Sequence, residues 1–312
     1  MTTFAFVFPG QGSQSVGMLS DWGDHPAVRA TLEEASAALG EDVARLITEG
    51  PKEALDLTTN TQPVMLTAGI ASYRAWLAEG GAVPAFVAGH SLGEYTALVA
   101  AGSLTLADAL PLVRLRARAM QEAVPVGTGG MAAILGLDPA AVREGCAKAA
   151  AESGEVVEAV NFNDPKQTVI AGSKAGVEHG CVVLKAMGAK RTLSLPVSAP
   201  FHSSLMKPAA ERLRERLVSI DLKTPRIPVL NNVDVAVQTA PDAIRDALYR
   251  QAFGAVRWVE LVTELKARGM THVIECGPGK VLSGMVKRID ADLVTTTFYD
   301  PATLAAAKAL LA

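Results

Sequence analysis

Ser91 stands at the centre of Gly89-His90-Ser91-Leu92-Gly93, the single G-x-S-x-G match in the chain. The residues before it, Ala85 to Ala88, are few and apolar, as in a buried parallel strand, and Leu92 to Ala101 after it have helical composition. Strand, G-x-S-x-G and helix describe a nucleophile elbow, whose glycines let two backbones crowd while the serine takes a strained conformation and exposes its hydroxyl. The alternative is a small residue in a tight turn, which would need none of that context. A serine hydroxyl becomes a useful nucleophile only when a base takes its proton. Of the five histidines, His25 and His179 lie beside helices that read as exposed, and His272 opens a buried-looking strand. The side chain of His90 leaves the sharp turn in a direction away from Ser91. His202 lies in PVSAPFHSSLM, an irregular stretch between a strand and a helix, where rigid scaffolds present catalytic groups, and is the candidate base. An elbow of this kind binds the oxyanion with the backbone N–H after the nucleophile, here Leu92, and a second from another strand-end loop. Gln11, in the glycine-rich loop PGQGSQSVG after the first strand, is the candidate for that second donor.

Arg116 raises a separate question. The helix that begins at Thr105 carries an apolar stripe through Leu106, Ala109, Leu110, Val113, Ala117 and Met120. Arg114 and Arg118 fall on its far side, where Arg118 can pair with Glu122 four residues on. Arg116 falls at the edge of the stripe among Leu112, Val113, Ala119 and Met120, and an inward guanidinium needs an anion or a bed of hydrogen bonds. Two readings stay open: a salt bridge to an internal carboxylate or snorkelling to the surface, and a fork that grips a substrate carboxylate.

The elements that must position these residues follow from the pattern of the chain. Strands are predicted at Phe4–Phe8, Ala85–Ala88, Pro228–Asn231 and His272–Glu275, and helices at Pro26–Leu39, Pro63–Ala78, Ser204–Ser219, Pro241–Gln251 and Val256–Arg268. Pro63 is placed near a first turn, and Pro111, inside the Thr105 helix, is expected to kink it. Thr105 and Asp108 form a box-like cap. After the hinge-like PVGTGG the pattern changes to strand (Met131–Leu135), helix (Pro139–Glu152), strand (Val156–Asn161), a turn at Asn163-Asp164-Pro165, strand (Thr168–Ala171), helix (Lys174–Met187) and strand (Arg191–Leu195). That β-α-β-β-α-β order is the ferredoxin-like unit, inserted because the first pattern resumes after it. The large unit then comprises residues 1–126 and 197–312 and the insert 127–196, with one last helix following the turn CGPGK.

Composition narrows the function classes. At 312 residues, 49% hydrophobic and 20% charged, the chain can bury a sizeable α/β core, and a net charge of −3 gives no general attraction to nucleic acid or anionic membrane. No apolar run approaches the ~18 residues of a membrane span, and the N-terminal residues do not read as a secretory signal. Cys146, Cys181 and Cys276 are widely spaced without a C-x-x-C, which argues for buried thiols in a reducing cytoplasm and against a disulfide framework or zinc site. GQGSQS breaks the dinucleotide fingerprint at Ser15, and GPGK lacks the spacing of a phosphate loop, so no nucleotide cofactor is expected.

The stretches FVFPGQGSQSVGM, GHSLGEYTALVAAG, NFNDPKQTVIAG, PVSAPFHSSLMKPA, NNVD and ECGPGKVLSGMVKRI, in this order, resemble the malonyl-CoA:acyl carrier protein transacylases of fatty acid synthesis; acyltransferase domains of polyketide synthases share many of them. The resemblance spans nearly the whole chain. It implies an α/β-hydrolase-like large domain with an inserted ferredoxin-like one, Ser91 as nucleophile and His202 as base. It further implies an oxyanion hole from Gln11 and Leu92 backbone N–H groups, Arg116 as the clamp for the malonyl carboxylate, and a backbone carbonyl, matched by Gln251, orienting the histidine. Phe201 stands at a position that varies in the family and is a specificity candidate. The implied partners are malonyl-CoA and the phosphopantetheine arm of acyl carrier protein, with no metal and no bound cofactor. Since carrier proteins of this kind are acidic, a local basic surface is expected, and Lys280, Lys287 and Arg288 on the last helix are candidates beside the plainer reading of a solvated face. A serine esterase or thioesterase on the same elbow, or a non-catalytic docking module, are the rival classes. The esterase has no use for Arg116, and the docking module has none for an intact Ser91 and His202.

Overall fold

The structure, a computed structural model, describes residues 2–197 and 199–312. The first strand, β1 (Phe4–Phe8), is buried along its whole length. Phe4, Phe6 and Phe8 enter one core with Tyr73, Trp76 and Phe298, while Ala5 and Val7 enter another with Ala88, Trp258 and Leu261. A strand covered on both faces has no polar side, which is why it reads as a continuous apolar run. Helix α1 (Pro26–Leu39) begins on His25, whose Nδ1 accepts from the Ala27 N–H, and two short helices, α2 (Val43–Glu49) and α3 (Lys52–Leu55), lead into α4 (Thr58–Ala78). The sequence reading began α4 at Pro63; it begins five residues earlier, with Pro63 inside it. This helix is buried on almost every side, so it lacks the amphipathic period that would have marked its start. Next come β2 (Phe86–Gly89), α5 (Gly93–Ala100) and α6 (Leu106–Glu122), the last capped by the Thr105 hydroxyl accepting from the Asp108 N–H and running on through Pro111.

The chain then builds β3 (Gly129–Leu135), α7 (Pro139–Ser153), β4 (Val157–Asp164), β5 (Gln167–Ser173), α8 (Lys174–Ala186) and β6 (Arg191–Ser194). These strands form an antiparallel sheet in the order β4-β5-β3-β6 around a core that includes Ile134, Val142, Ile170 and Leu184. The residues Asn163 and Asp164, predicted as a turn, belong to β4, where register shifts against β5 extend the strand. After α9 (Lys207–Val218) follow β7 (Val229–Leu230), α10 (Pro241–Gln251), α11 (Trp258–Ala267), β8 (His272–Cys276), α12 (Val281–Ile289), β9 (Val294–Phe298) and α13 (Pro301–Leu311). The sequence reading stopped at α12 and missed β9 and α13. β9 is an edge strand of half-exposed threonines that shows neither alternation nor an apolar run.

The five strands β7-β2-β1-β8-β9 pair in parallel. The fold is therefore a mixed α/β one: a parallel sheet with helices on both faces and a smaller antiparallel sheet with its own helices. In the large sheet Phe8 pairs with Gly89, and the His90 N–H donates to the Phe8 carbonyl at 3.1 Å. The loop after β1 and the elbow after β2 therefore leave the same sheet edge side by side, where open α/β sheets gather their functional groups. Strand β4 meets the large unit along Val256, whose N–H donates to the Val160 carbonyl at 2.8 Å and whose carbonyl accepts from Phe162 at 3.0 Å. No helix among the described residues is long and apolar enough to cross a membrane.

Candidate active site

Ser91 has φ 53°, the left-handed region that non-glycine residues avoid, as the elbow requires. Its flanking glycines have no room for a side chain: a Cβ on Gly89 would lie 1.8 Å from the Gly93 backbone, and one on Gly93 would lie 2.0 Å from the Phe8 carbonyl oxygen. The turn is pinned from outside by Asn232, whose Oδ1 accepts from the Ser91 N–H at 2.7 Å and whose Nδ2 donates to the Gly89 carbonyl at 2.7 Å.

His202 also has a positive φ, 65°, and is buried. Its Nε2 lies 2.7 Å from Ser91 Oγ. On the other side of the ring, Nδ1 faces the carbonyl of Gln251 at 2.9 Å and that of Gly254 at 3.2 Å. Carbonyls only accept, so Nδ1 carries the proton and Nε2 presents its lone pair to the serine hydroxyl. Burial, then the nearby Arg116 charge, pushes the His202 pKa down to about 3, against the two carbonyls, which act to raise it. The resting imidazole is neutral.

Arg116 is 2% exposed and makes no ion pair among the described residues. Its guanidinium donates to Gln62 Oε1 at 2.8 Å, Gln251 Oε1 at 3.0 Å and Ser91 Oγ at 3.2 Å, and sits 5.4 Å from the Tyr95 ring centroid. Its Nε is buried with no hydrogen-bond partner among the described residues. The sequence reading was right that Arg116 turns inward but misjudged its neighbour: Arg114 is also buried, gripped by Glu41 through both guanidinium NH groups. Glu122 bonds Arg212 rather than Arg118.

Gln11, Gln62, Ser91, Leu92, Arg116, Phe201 and His202 line one cavity of about 600 Å³, between the elbow and the antiparallel unit, which contributes Met131, Asn161 and Leu195. The backbone N–H groups of Gln11 and Leu92 have no acceptor among the described residues, while the Gln11 side chain donates to Thr58 Oγ1 at 3.2 Å. Five residues of this site were not foreseen. Gln62, Asn232 and the Gly254 carbonyl hold Arg116, the elbow and the histidine as described. Asn163 Oδ1 meets His90 Nε2 at 2.8 Å, tying the insert to the elbow. Glu94, 2% exposed, accepts on Oε2 from the Asn232 N–H at 2.9 Å and the Gln251 side-chain amide at 3.1 Å, and burial raises its pKa to about 7. No group of three or more histidine, cysteine or carboxylate side chains among the described residues is arranged to hold a metal ion. Lys280 and Lys287 are exposed on and before α12, while Arg288 donates to Asp164 Oδ2 at 2.7 Å and so helps fasten α12 to β4.

The chain matches the Acyl transferase domain family over residues 5–292. It is 54% identical to the malonyl CoA-acyl carrier protein transacylase of Escherichia coli (strain K12), over 98% of this chain and 99% of that protein. Its fold is similar to the crystal structure of an acyl-carrier-protein S-malonyltransferase from Burkholderia pseudomallei 1710b, with 64% identity, TM-score 0.97, and coverage of 99% of this chain and 100% of that one. A malonyl-transacylase solved in complex with its type II PKS acyl-carrier protein is 47% identical, with TM-score 0.96, over 99% and 100% of the two chains. On sequence and fold together, the chain belongs to the malonyl CoA-acyl carrier protein transacylases of the acyl transferase domain family.

Proposed function

We propose that this chain moves the malonyl group from malonyl-CoA to the phosphopantetheine thiol of acyl carrier protein in fatty acid synthesis, through a malonyl-serine intermediate on Ser91. The observation that carries the proposal is the single oxygen, Ser91 Oγ, held 2.7 Å from His202 Nε2 and 3.2 Å from the Arg116 guanidinium. His202 takes the serine proton as Oγ bonds to the thioester carbonyl, the oxyanion rests on the Gln11 and Leu92 N–H groups, and the tetrahedral adduct collapses with loss of coenzyme A. The same proton passes from His202 to the departing sulfur. The carrier-protein thiol then enters, gives its proton to His202, attacks the ester carbonyl and leaves with the malonyl group while Ser91 recovers its proton. The Gln251 and Gly254 carbonyls hold the ring in the tautomer this needs and stabilise the imidazolium that forms.

Arg116 supplies both selectivity and activation. Without substrate its charge helps keep His202 a weak base. A malonyl carboxylate paired with the guanidinium cancels that field, lifting His202 toward the pKa range in which a general base works well. An acetyl group leaves the charge standing. That coupling, and a buried guanidinium with no carboxylate in direct contact, favour the transferase over a neutral-ester hydrolase. The residue boundaries 1–126 with 197–312 and 127–196 belong to the same reading, with the insert as the lid side of the cavity and Phe201 shaping its acyl end. A cytoplasmic location accompanies it, supported by three free thiols and by the pathway of the substrate.

Incubation with radiolabelled malonyl-CoA alone, followed by denaturation, should leave about one label per chain, none in Ser91→Ala. Rapid release of free malonate would favour the hydrolase, and retained label in Ser91→Ala would remove Ser91 as nucleophile.

A further inference from the structure

Arg116 and Glu94 are two opposite charges buried in one site without touching. Between them stands the Gln251 side chain, whose Oε1 accepts from the guanidinium at 3.0 Å and whose Nε2 donates to Glu94 Oε2 at 3.1 Å and to the Ser91 carbonyl at 2.9 Å. One amide thus connects a cation at its oxygen end to an anion at its nitrogen end, an orientation in which each charge favours the other through the polarised amide. Every other partner of Arg116 in the hydrogen-bond geometry is neutral: Gln62 and Ser91. The other charged or titratable groups facing Glu94 are Asp234, engaged by both guanidinium NH groups of Arg250, and Tyr95 on its own helix.

We propose that Glu94 is the counter-ion of Arg116 in the resting enzyme, acting through the Gln251 amide. When the carboxylate of the acyl group pairs with Arg116, it takes over that place, and Glu94 takes up a proton from solvent. This rests on the reading of Arg116 as the carboxylate clamp. The physical reason is a charge count. A buried anion is tolerated only with a compensating cation. The resting site has one buried cation and one buried carboxylate, and the bound acyl group brings a second carboxylate to the same cation. The cheapest way to keep the site neutral is to protonate the carboxylate already there, and burial has placed Glu94 near the pH where this is possible. Glu94 is on this account a positioning residue, touching neither substrate nor the reacting atoms.

The chemical step releases no net proton at neutral pH, because the serine proton ends on the coenzyme A thiol, whose ordinary pKa is ~8.5. Uptake then comes from Glu94 and from His202, freed from the Arg116 field, and the two differ in pH dependence. Single-turnover malonylation in weak buffer with a pH indicator reads Glu94 as the difference between wild type and Glu94→Gln, which keeps an oxygen for both donors but no charge. At pH 7, where a group with pKa of about 7 is half ionised, wild type should take up as much as about half a proton per malonylated site more than Glu94→Gln, a difference that falls away by pH 5. The variant should show only the His202 uptake, which grows toward pH 5. Equal uptake by the two proteins at pH 7, or a difference that keeps growing toward pH 5, overturns the proposal. If the variant does not fold, the wild-type pH series decides: Glu94 adds a separate step of uptake near pH 7, and a single monotonic rise toward pH 5, as His202 alone gives, overturns the proposal. The underlying reading is checked separately with Arg116→Ala: if that variant keeps the malonyl-over-acetyl preference, the clamp fails. If it loses the preference while wild type takes up no proton, only the role of Glu94 fails.

Discussion

Replacing Arg116 by alanine separates a residue that holds substrate, as proposed, from one that holds the fold, because its bonds reach both the scaffold and the Ser91 hydroxyl. Its bonds to Gln62 and Gln251 are scaffold, its contact with Ser91 is shared by every acyl donor, and a carboxylate in direct contact is what malonyl would bring. Removing one member of a buried charge pair costs about 3–5 kcal/mol, so malonyl transfer should fall roughly 10²- to 4 × 10³-fold at 1.4 kcal/mol per decade. Acetyl transfer loses only the Ser91 hydrogen bond, worth about 1 kcal/mol, or less than about tenfold. Even that loss is offset, since His202 is freed from a neighbouring positive charge. The ratio of kcat/KM for malonyl-CoA to that for acetyl-CoA should therefore drop by at least roughly tenfold. Arg116→Lys should restore part of it, since a point charge lacks the fork. Both rates should be measured alongside thermal unfolding. A matched fall in the two rates, with a lowered melting temperature, would mean that Arg116 serves Gln62 and Gln251 rather than the substrate.

His202→Ala should slow single-turnover malonylation by ~10²–10⁴, the usual contribution of a general base, and a smaller loss would point to another proton acceptor. The pH dependence of stability should carry two opposed signatures. His202, held down to about 3 when folded against an ordinary value near 6.5, is more readily protonated unfolded, so stability is lost as pH falls from 6.5 toward 3, by about 1.4 kcal/mol per unit, and His202→Gln should flatten that limb in denaturant titrations. Glu94, raised to about 7 from 4.5, has the opposite sign: stability is lost as pH rises through that window, roughly 3.5 kcal/mol from 2.5 units at about 1.4 each, so Glu94→Gln should gain on wild type between pH 4 and pH 8. Lys287→Glu should raise the KM for acyl carrier protein while leaving malonylation by malonyl-CoA unchanged, and equal effects on both half-reactions would move the docking surface off α12.

The parts of the site that could be read from the sequence are those with a local signature. The elbow announces itself because two glycines, a serine, a strand and a helix are contiguous. Arg116 was visible because a guanidinium at the edge of an apolar helical stripe contradicts its surroundings, and the structure found it buried as that contradiction required. Glu94 lies among Leu92, Tyr95, Ala97 and Leu98 on a helix that is apolar on nearly every side, and is a sharper contradiction than Arg116, masked because it directly follows a motif that Ser91 already accounts for. Arg114 failed the opposite way, since its partner Glu41 follows a different helix and nothing local foretells that meeting. Gln62, Asn232 and Asn163 are neutral amides, whose presence in a buried segment contradicts nothing strongly enough to be noticed from composition. Their roles exist only after β2, α4, β4 and the loop following β7 converge. What the sequence offers is thus its charges, and the fold supplies the dipoles between them. Arg116 and Glu94 are each a violation of burial by itself. Linked through the Gln251 amide they become one neutral system, and adding a third charge, the acyl carboxylate, is what a site with such a balance can register.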